Sequence, residues 1–262
     1  MCKSKSVVNP DLIGVNSTSP PKVDRNRWDS GSDRKVGMGE RNKNIAYPER
    51  GIFCGMFTGI ITNIGKFIRR TNRFFIFQAD ESVCEKLYPG VSIAVNGVCL
   101  TVCKTTSKNL FSVTVMPETT KRTMLGNLNE NDFVNLELPV TAENFLAGHI
   151  VQGHIDGTGI LEDIVFKGDS RFLKITVSPE LNKYIVEKGS IAINGISLTV
   201  IKAENTYFTV GIIPYTWTHT MLRYIKIGEQ VNLENDIIAK YVDKLLVLRI
   251  PCLSKKIHDR PV

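Results

Sequence analysis

The chain has 262 residues and a formal net charge of +7, of which residues 1–55 supply +4 through ten Lys/Arg and six Asp/Glu. The charge left on the rest of the chain is too small to predict nucleic-acid binding, and the length suffices for two domains of modest size. The N-terminus lacks the apolar region of a signal peptide, and no apolar run approaches the roughly 18 residues of a membrane span. The six cysteines follow no disulfide framework, so we expect reduced thiols and a cytoplasmic location.

Residues 1–55 differ in composition from the rest of the chain. They are rich in Ser, Asn, Asp, Arg, Gly and Pro, and their aromatic residues are Trp28, Tyr47 and Phe53. Burial of this small apolar surface would not offset the entropy lost on ordering the segment. We therefore predict that residues 1–55 are disordered. A transit peptide is one alternative, although the six acidic residues argue against it. Another is that Met56 is the true start and that the preceding residues derive from an upstream leader.

From Met56 onward, short runs rich in Val, Ile, Thr and Phe are interrupted by turn residues, which is typical of strands. Asn96-Gly97 is a strong hairpin signal between two such runs. Residues 81–88 predict a short helix or turn, and residues 119–125 predict a helical turn. The predicted strands up to residue 138 are 58–64, 74–78, 92–95, 99–103, 111–115 and 134–138.

An internal repeat organises this region. The sequence of residues 92–102 returns at 190–200 with Val/Ile exchanges and one chemical change, Cys99 to Ser197. Four blocks recur in the same order at a spacing of about a hundred residues, which is the size of a domain and not of a solenoid repeat. About six short strands per repeat, without alternating helices, predict an all-β fold of two homologous six-stranded Greek-key closed barrels.

Beyond the second repeat, apolar residues recur with a period near 3.6 residues, which predicts a C-terminal α-helix. The apolar stripe of this helix either packs on the second barrel or contacts the same stripe in other copies of the chain. A broad apolar stripe on a helix that follows an already closed barrel favours an oligomer. The apolar residues are Ile237, Ile238, Tyr241, Val242, Leu245, Leu246 and Leu248, with Lys240, Asp243 and Lys244 on the other face. The predicted domains are the extension 1–55, the barrels 56–152 and 153–236, the oligomerisation helix 237–250 and a tail 251–262.

Seven motifs carry a family resemblance. In chain order they begin at Met56 (MFTGI), Asn96 (NGVCLTV), Met116 (MPET), Gly148 (GHIVQGHIDG), Lys188 (KG), Asn194 (NGISLTV) and Ile213 (IPYT). Each motif alone is weak evidence for a family. Together, in an order that is repeated in the two halves of the chain, they resemble riboflavin synthases of the alpha-chain type over residues 56–250. The resemblance implies a homotrimer whose C-terminal helices associate. It also implies that each active site lies between the first barrel of one subunit and the second barrel of its neighbour.

The same resemblance implies a transferase that uses no metal and no cofactor. Two molecules of 6,7-dimethyl-8-ribityllumazine would give riboflavin and 5-amino-6-ribitylaminouracil, the last step of riboflavin biosynthesis, by passage of a four-carbon unit between them. A duplicated barrel suits this reaction because it supplies two like pockets, and holding two reactants together makes their reaction effectively intramolecular. An association with lumazine synthase is an open partner hypothesis.

The resemblance also assigns residues to two half-sites. The first comprises Gly59, Ile60, Ile61, Cys99, Leu100, Thr101, Thr114, Val115, Met116, Pro117, Glu118 and Thr119. The second comprises Lys188, Ser197, Leu198, Thr199, Ile212, Ile213, Pro214, Tyr215, Thr216 and Trp217. The junction between the barrels adds Gly153, His154 and Ile155. The catalytic candidates are Cys99, His154, Ser197, Thr199 and Asp236.

The residue types leave alternatives open for the nucleophile and the base. A cysteine in an apolar strand is usually a core residue, although Cys99 shares a strand face with Thr101. The hydroxyl of Ser197 equally suits a bond to the backbone. His149 and His154 are five residues apart with no third ligand nearby, which does not fit a metal pair. We expect His149 to be structural and His154 to transfer protons, and either Cys99 or Ser197 to act as nucleophile or to position a water.

Three acidic positions are informative in the repeat. Glu137 and Glu234 recur identically, which suits a shared structural hydrogen bond as much as chemistry. Asp236 is a catalytic candidate because the first repeat has the uncharged Pro139 in its place. Tyr215 replaces Glu118 of the first repeat, which leaves the ribityl contacts of the second half-site open.

Two other functions fit the architecture. A non-enzymatic antenna protein that binds lumazine or flavin would keep the barrels but lose the reacting pair of sites, and the intact loops of both repeats favour the enzyme. An oligonucleotide-binding barrel would need an aromatic and basic strand face, which the sequence lacks. We therefore predict no binding to nucleic acid or membranes.

Overall fold

The computed structural model describes residues 55–249 and the side chains of residues 55–246. The predictions for residues 1–54 and for the tail 251–262 lie outside the described residues. In the first repeat, six antiparallel strands close into a barrel in the order β1-β2-β5-β4-β3-β6. The strands are β1 (Asn63–Thr71), β2 (Phe74–Gln78), β3 (Ser92–Val95), β4 (Val98–Ser107), β5 (Leu110–Thr114) and β6 (Phe133–Glu137). The helices are α1 (Glu81–Cys84), α2 (Pro117–Arg122) and a 3-10 turn (Met124–Asn127).

The second repeat forms a barrel with the same strand order. Its strands are β7 (Gly157–Lys167), β8 (Ser170–Thr176), β9 (Ser190–Ile193), β10 (Ile196–Ala203), β11 (Tyr207–Ile212) and β12 (Gln230–Asn235). Its helices are α3 (Pro179–Asn182), α4 (Pro214–His219) and a 3-10 turn (Met221–Tyr224), and the helix α5 (Ile237–Arg249) follows. The predicted fold of two six-stranded closed barrels and a C-terminal helix is confirmed.

The alternation of side chains along the strands decides which residues face outward. In β4, Val98, Leu100 and Val102 are buried in the barrel core, whereas Cys99 is half-buried and Thr101 is exposed. Strand β10 has the same pattern from Ile196 onward. Because successive side chains of a strand point to opposite faces, the polar residues of both strands lie outside the barrels.

The first predicted strand is wrong in its position. Residues 58–62 form no strand, and β1 begins at Asn63 and continues to Thr71. Gly59 adopts a φ of +75°, and the backbone N–H groups of Thr58 and Gly59 donate to the carboxylate of Glu137 at 2.7 and 3.1 Å. These donors are therefore not available for a strand ladder. The predicted Asn96-Gly97 hairpin is present, and both residues have positive φ as a type I′ turn requires.

Buried asparagines join the two barrels. Asn135 donates from Nδ2 to the carbonyl of Asn194 at 2.9 Å and accepts at Oδ1 from the backbone N–H of Met221 at 2.7 Å. Asn232 makes the reciprocal bonds, to the carbonyl of Asn96 at 2.8 Å and from the N–H of Met124 at 2.7 Å. The interface therefore has an approximate twofold symmetry that follows from the sequence repeat.

Helix α5 faces the second barrel with its polar side. Lys240 donates to Asp156 at 2.6 Å, and Asp243 accepts from Lys183 at 3.1 Å and from the Tyr184 hydroxyl at 3.2 Å. The apolar side is exposed at Ile238, Tyr241, Val242, Leu245 and Leu246. Within the described residues, the stripe does not pack on its own barrel as one alternative required. No helix of residues 55–249 is long and apolar enough to cross a membrane.

Candidate active site

Two short segments, which we call the crossing arms, lie side by side between the barrels. They comprise residues 57–59, which precede the first barrel, and residues 151–153, which precede the second. Phe57 and Val151 exchange backbone hydrogen bonds of 2.7 and 3.1 Å. The carbonyl of Gly59 accepts from the N–H of Ser197 at 2.8 Å, and the carbonyl of Gly153 accepts from the N–H of Cys99 at 2.9 Å. Each arm therefore contacts the strand that carries the polar residues of the opposite barrel.

Glycine is required in both arms. Gly59 and Gly153 have φ values of +75° and +78°, which side chains rarely permit. A Cβ on Gly59 would lie 2.7 Å from the backbone nitrogen of Ser197, and one on Gly153 would lie 2.7 Å from that of Cys99. The close approach of arm and strand explains why the repeat keeps glycine at both positions.

The residues just beyond each arm continue the crossing. Ile61 packs against the core of the second barrel, and Ile155 packs against the core of the first. Ile60 and His154, which directly follow the two arm glycines, are exposed. The prediction assigned Ile61 to the first half-site, whereas its packing partner in the structure is the second barrel.

Ser197 has a histidine partner. The Nδ1 atom of His149 lies 2.7 Å from Ser197 Oγ, and the His149 side chain is buried. Burial lowers the pKa of His149 from its ordinary value, against an opposing contribution from Asp236. Among the described residues, His149 Nε2 has no hydrogen-bond partner. The structure thus places His149, which the sequence interpreted as structural, on the hydroxyl of a catalytic candidate.

The first half-site has different residues at the positions of this pair. Cys99 stands at the position of Ser197, and Gly55 stands two residues before Phe57, as His149 does before Val151. On the neighbouring outward positions, Thr101 lies between Ser92 and Thr114, and the Cys103 sulfur is 2.9 Å from the Thr114 hydroxyl. The two half-sites therefore differ in their chemistry although their backbones are alike.

Asp236 caps the N-terminus of α5, the helix that follows it. Its Oδ1 accepts from the N–H of Ile238 at 3.0 Å, and its carbonyl accepts from the N–H of Ala239 at 3.0 Å. This is the geometry of a helix N-cap, which satisfies donors that have no intrahelical partner. The charge of Asp236 also opposes the lowering of the His149 pKa by burial, so Asp236 influences the electrostatics of the second half-site.

The other predicted residues divide between the barrel surface and the barrel core. Side chains in the core are those of Leu100, Val115, Leu198 and Ile212. Exposed side chains are those of Thr101, Met116, Pro117, Glu118, Lys188, Thr199, Ile213, Pro214 and Tyr215, and partly exposed ones are those of Thr114, Thr119, Thr216 and Trp217. The side chains of the core residues point away from the barrel surface, because strand alternation turns them inward.

Some exposed residues have partners of their own. Glu118 forms an ion pair with Arg122 one helical turn later, and the Tyr215 ring stacks on His219 at a centroid distance of 4.0 Å. Trp217 packs against the core of the second barrel, and its ring centroid lies 5.4 Å from the Arg171 guanidinium carbon. Within residues 55–249, no group of three His, Cys, Asp or Glu side chains is placed to hold a metal ion.

Comparisons with known proteins identify the family. The model of the lumazine binding domain matches twice, at residues 58–139 and 152–236. Riboflavin synthase of Actinobacillus pleuropneumoniae is 48% identical over 209 residues, which cover 79% of this chain and 94% of that protein. Riboflavin synthase of Bacillus subtilis is 39% identical over 194 residues, which cover 73% of this chain and 90% of that protein.

Solved structures show the same fold. The crystal structure of LumP complexed with 6,7-dimethyl-8-(1'-D-ribityl) lumazine superposes with a TM-score of 0.61 at 20% identity, over 68% of this chain and 98% of that one. LumP complexed with riboflavin superposes with a TM-score of 0.61 at 21% identity over the same shares. The two lumazine-binding matches and the two riboflavin synthases that are 48% and 39% identical show that the chain belongs to the riboflavin synthase family.

Proposed function

We propose that this chain catalyses the dismutation of two 6,7-dimethyl-8-ribityllumazine molecules. One molecule gives up a four-carbon unit and leaves as 5-amino-6-ribitylaminouracil, and the other accepts the unit and becomes riboflavin. The observation that carries the proposal is a pair of half-sites with equal backbone geometry and unequal side chains. Two identical heterocycles need like pockets to bind, and they need unlike groups to take the roles of donor and acceptor.

The Ser197 half-site supplies a nucleophile or positions a water in this proposal. A histidine whose pKa is lowered by burial stays neutral at physiological pH. Neutral His149 is able to accept the proton of the Ser197 hydroxyl across 2.7 Å as that oxygen adds to the ring. If a water adds instead, Ser197 takes the proton of the water as it passes its own proton to His149. Exposed His154 follows Gly153 on the side of Cys99 and is the proposed group for removing a proton from the C7 methyl. Gly59, Gly153, Thr101 and Thr199 line the proposed pockets.

We further propose a homotrimer in which the first barrel of one subunit faces the second barrel of its neighbour. The resemblance to riboflavin synthases suggests this arrangement, and the exposed apolar side of α5 supports it because large apolar stripes are normally covered. A cytoplasmic location and an association with lumazine synthase are further proposals, which rest on the cysteine pattern and on the resemblance respectively.

Incubation with 6,7-dimethyl-8-ribityllumazine tests the activity directly. We expect riboflavin absorbance and fluorescence to appear with one riboflavin formed per two lumazines consumed, because the other molecule becomes the uracil product. A protein that binds the lumazine tightly and returns it unchanged would instead be an antenna of the same fold. Heat-inactivated protein is the control for the spontaneous reaction.

A further inference from the structure

We propose that Glu137 and Glu234 are positioning residues that act across the barrel interface. Each carboxylate lies on the last strand of one barrel and fixes the pocket strand of the other barrel through a crossing arm. Glu137 of β6 thereby positions Ser197 in the second barrel, and Glu234 of β12 positions Cys99 in the first. The idea that these strands hold the reacting rings rests on the proposed function. The hydrogen bonds between arms and strands are independent of it.

The Glu137 carboxylate holds the first arm at three points. Its Oε1 accepts from the N–H and from the hydroxyl of Thr58 at 2.7 and 2.8 Å, and its Oε2 accepts from the N–H of Gly59 at 3.1 Å. The carbonyl of the same Gly59 accepts the N–H of Ser197 at 2.8 Å. One glycine therefore connects a carboxylate of the first barrel to the pocket strand of the second.

The Glu234 carboxylate repeats this arrangement on the second arm. Its Oε1 accepts from the N–H of Gln152 at 2.7 Å, and its Oε2 accepts from the N–H of Gly153 at 2.9 Å. The Gly153 carbonyl accepts the N–H of Cys99 at 2.9 Å. Two charged groups outside β12 act on Glu234. Lys240 of α5 lowers its pKa, and Asp156 at the start of the second barrel raises it.

The burial of both groups argues for a specific role. Glu137 and Glu234 are 5% and 2% exposed, and a buried carboxylate is costly unless hydrogen bonds satisfy it. Bonds from N–H groups to a carboxylate are stronger and shorter than neutral ones, which suits them to hold a backbone segment in place. A general stabilising role would not require that each carboxylate bind the arm that reaches into the other barrel.

The experiment compares Glu137→Gln and Glu234→Gln in the full-length protein. Glutamine keeps the size of the side chain but has one acceptor oxygen, so one arm N–H loses its partner in each variant. The readout is hydrogen exchange and the resonance of the backbone amides of Cys99 and Ser197 at one fixed pH. We expect Glu234→Gln to accelerate exchange at Cys99 about tenfold and to leave Ser197 unchanged, and Glu137→Gln to do the reverse.

A milder pair of variants covers the case in which Glu137→Gln fails to fold. Thr58→Val removes one of the three bonds to Glu137, and Thr58→Ser keeps the hydroxyl. Thr58→Val should accelerate exchange at Ser197 a few-fold without affecting Cys99, and Thr58→Ser should restore the wild-type rate. Equal acceleration at both amides, acceleration within the barrel that carries the substitution, or no change at either amide would overturn the proposal. None of these outcomes bears on the lumazine assay, so the proposed function fails or stands separately.

Discussion

The side chains that distinguish the two half-sites are Ser197 with His149 on one side and Cys99 on the other. His149 lies within hydrogen-bond distance of Ser197 Oγ, and burial lowers the pKa of its imidazole. Gly55 occupies the equivalent position in the first repeat and offers no base. The two half-sites therefore differ at both of these positions, as unequal roles for identical substrates would require.

The pairing of Ser197 with His149 predicts non-additive substitutions. Ser197→Ala and His149→Ala should each lower kcat by about a hundredfold, the lower end of the contribution of general acid–base groups. The double variant should be no slower than either single variant, because both substitutions remove the same hydrogen bond. Steady-state kinetics on the three variants measure this coupling. Fully additive losses would show that the two residues act separately.

His154, which is exposed and directly follows the second crossing arm, allows a contrasting prediction. His154→Ala should slow turnover more than it weakens lumazine binding, because the ring is proposed to move a proton and not to hold the ligand. Fluorescence titration with the lumazine and single-turnover kinetics separate the two quantities. Equal losses in turnover and in affinity would assign His154 to ligand positioning.

Glu234 gives the molecule a dependence on pH. Burial raises its pKa from 4.5 to about 7, against opposing hydrogen bonds from Gln152 and Gly153. A carboxyl group with a raised folded-state pKa stabilises the fold fully below about pH 4.5 and loses that contribution as the pH rises to about 7. One pKa unit corresponds to about 1.4 kcal/mol, so wild type should lose on the order of 3 kcal/mol relative to Glu234→Gln across this window. Urea midpoints at pH 5 and pH 8 test this, with exposed Glu143→Gln as the control.

At the scale of elements, the barrel interface depends on strands β6 and β12, each of which forms hydrogen bonds with turns of the opposite barrel. Asn135 and Asn232 each satisfy one carbonyl and one N–H of the opposite barrel. Their side chains are 1% and 0% exposed, so water does not replace them. The interface is consequently held by directional bonds as well as by apolar packing.

Asn135→Ala should destabilise the protein strongly. The substitution leaves the Asn194 carbonyl and the Met221 N–H buried without partners, at a cost of about 1 to 3 kcal/mol each. Asn232→Ala should have a similar effect because of the approximate symmetry. Asn127→Ala removes an exposed bond to Gln230 and should change stability by less than about 0.5 kcal/mol. Urea denaturation compares the three variants, and equal midpoints would contradict the role of the asparagines.

The sequence predicted the elements better than it predicted their contacts. The Asn96-Gly97 hairpin and its repeat at 194–195 are local signals, and the repeat itself fixed the number of barrels. The crossing arms escaped prediction because the partner of Thr58 and Gly59 is Glu137, far along the chain. The same holds for His149, since nothing near it in the sequence indicates that Ser197 will lie 2.7 Å away.

At the scale of the whole molecule, α5 is oriented opposite to an ordinary surface helix. Ion pairs from Lys240 to Asp156 and from Lys183 to Asp243 fix its polar side on the second barrel. The apolar side is left exposed, although burial of that side is what normally stabilises an amphipathic helix. The proposed trimer would bury the apolar side of α5 between subunits, and it would also bring the first barrel of one copy to the second barrel of another.

Substitution in the stripe should therefore abolish assembly and activity together. Leu245 is 56% exposed in the single chain and lies in the centre of the apolar side. Leu245→Glu should convert the proposed trimer to monomers, because a carboxylate has no partner in an apolar helix contact. Sedimentation velocity measures the assembly, and the lumazine assay at the same protein concentration measures the activity. Lys244→Glu changes the charge of the neighbouring residue outside the stripe and should affect neither. A Leu245→Glu monomer with full activity would show that both reacting rings bind within one chain.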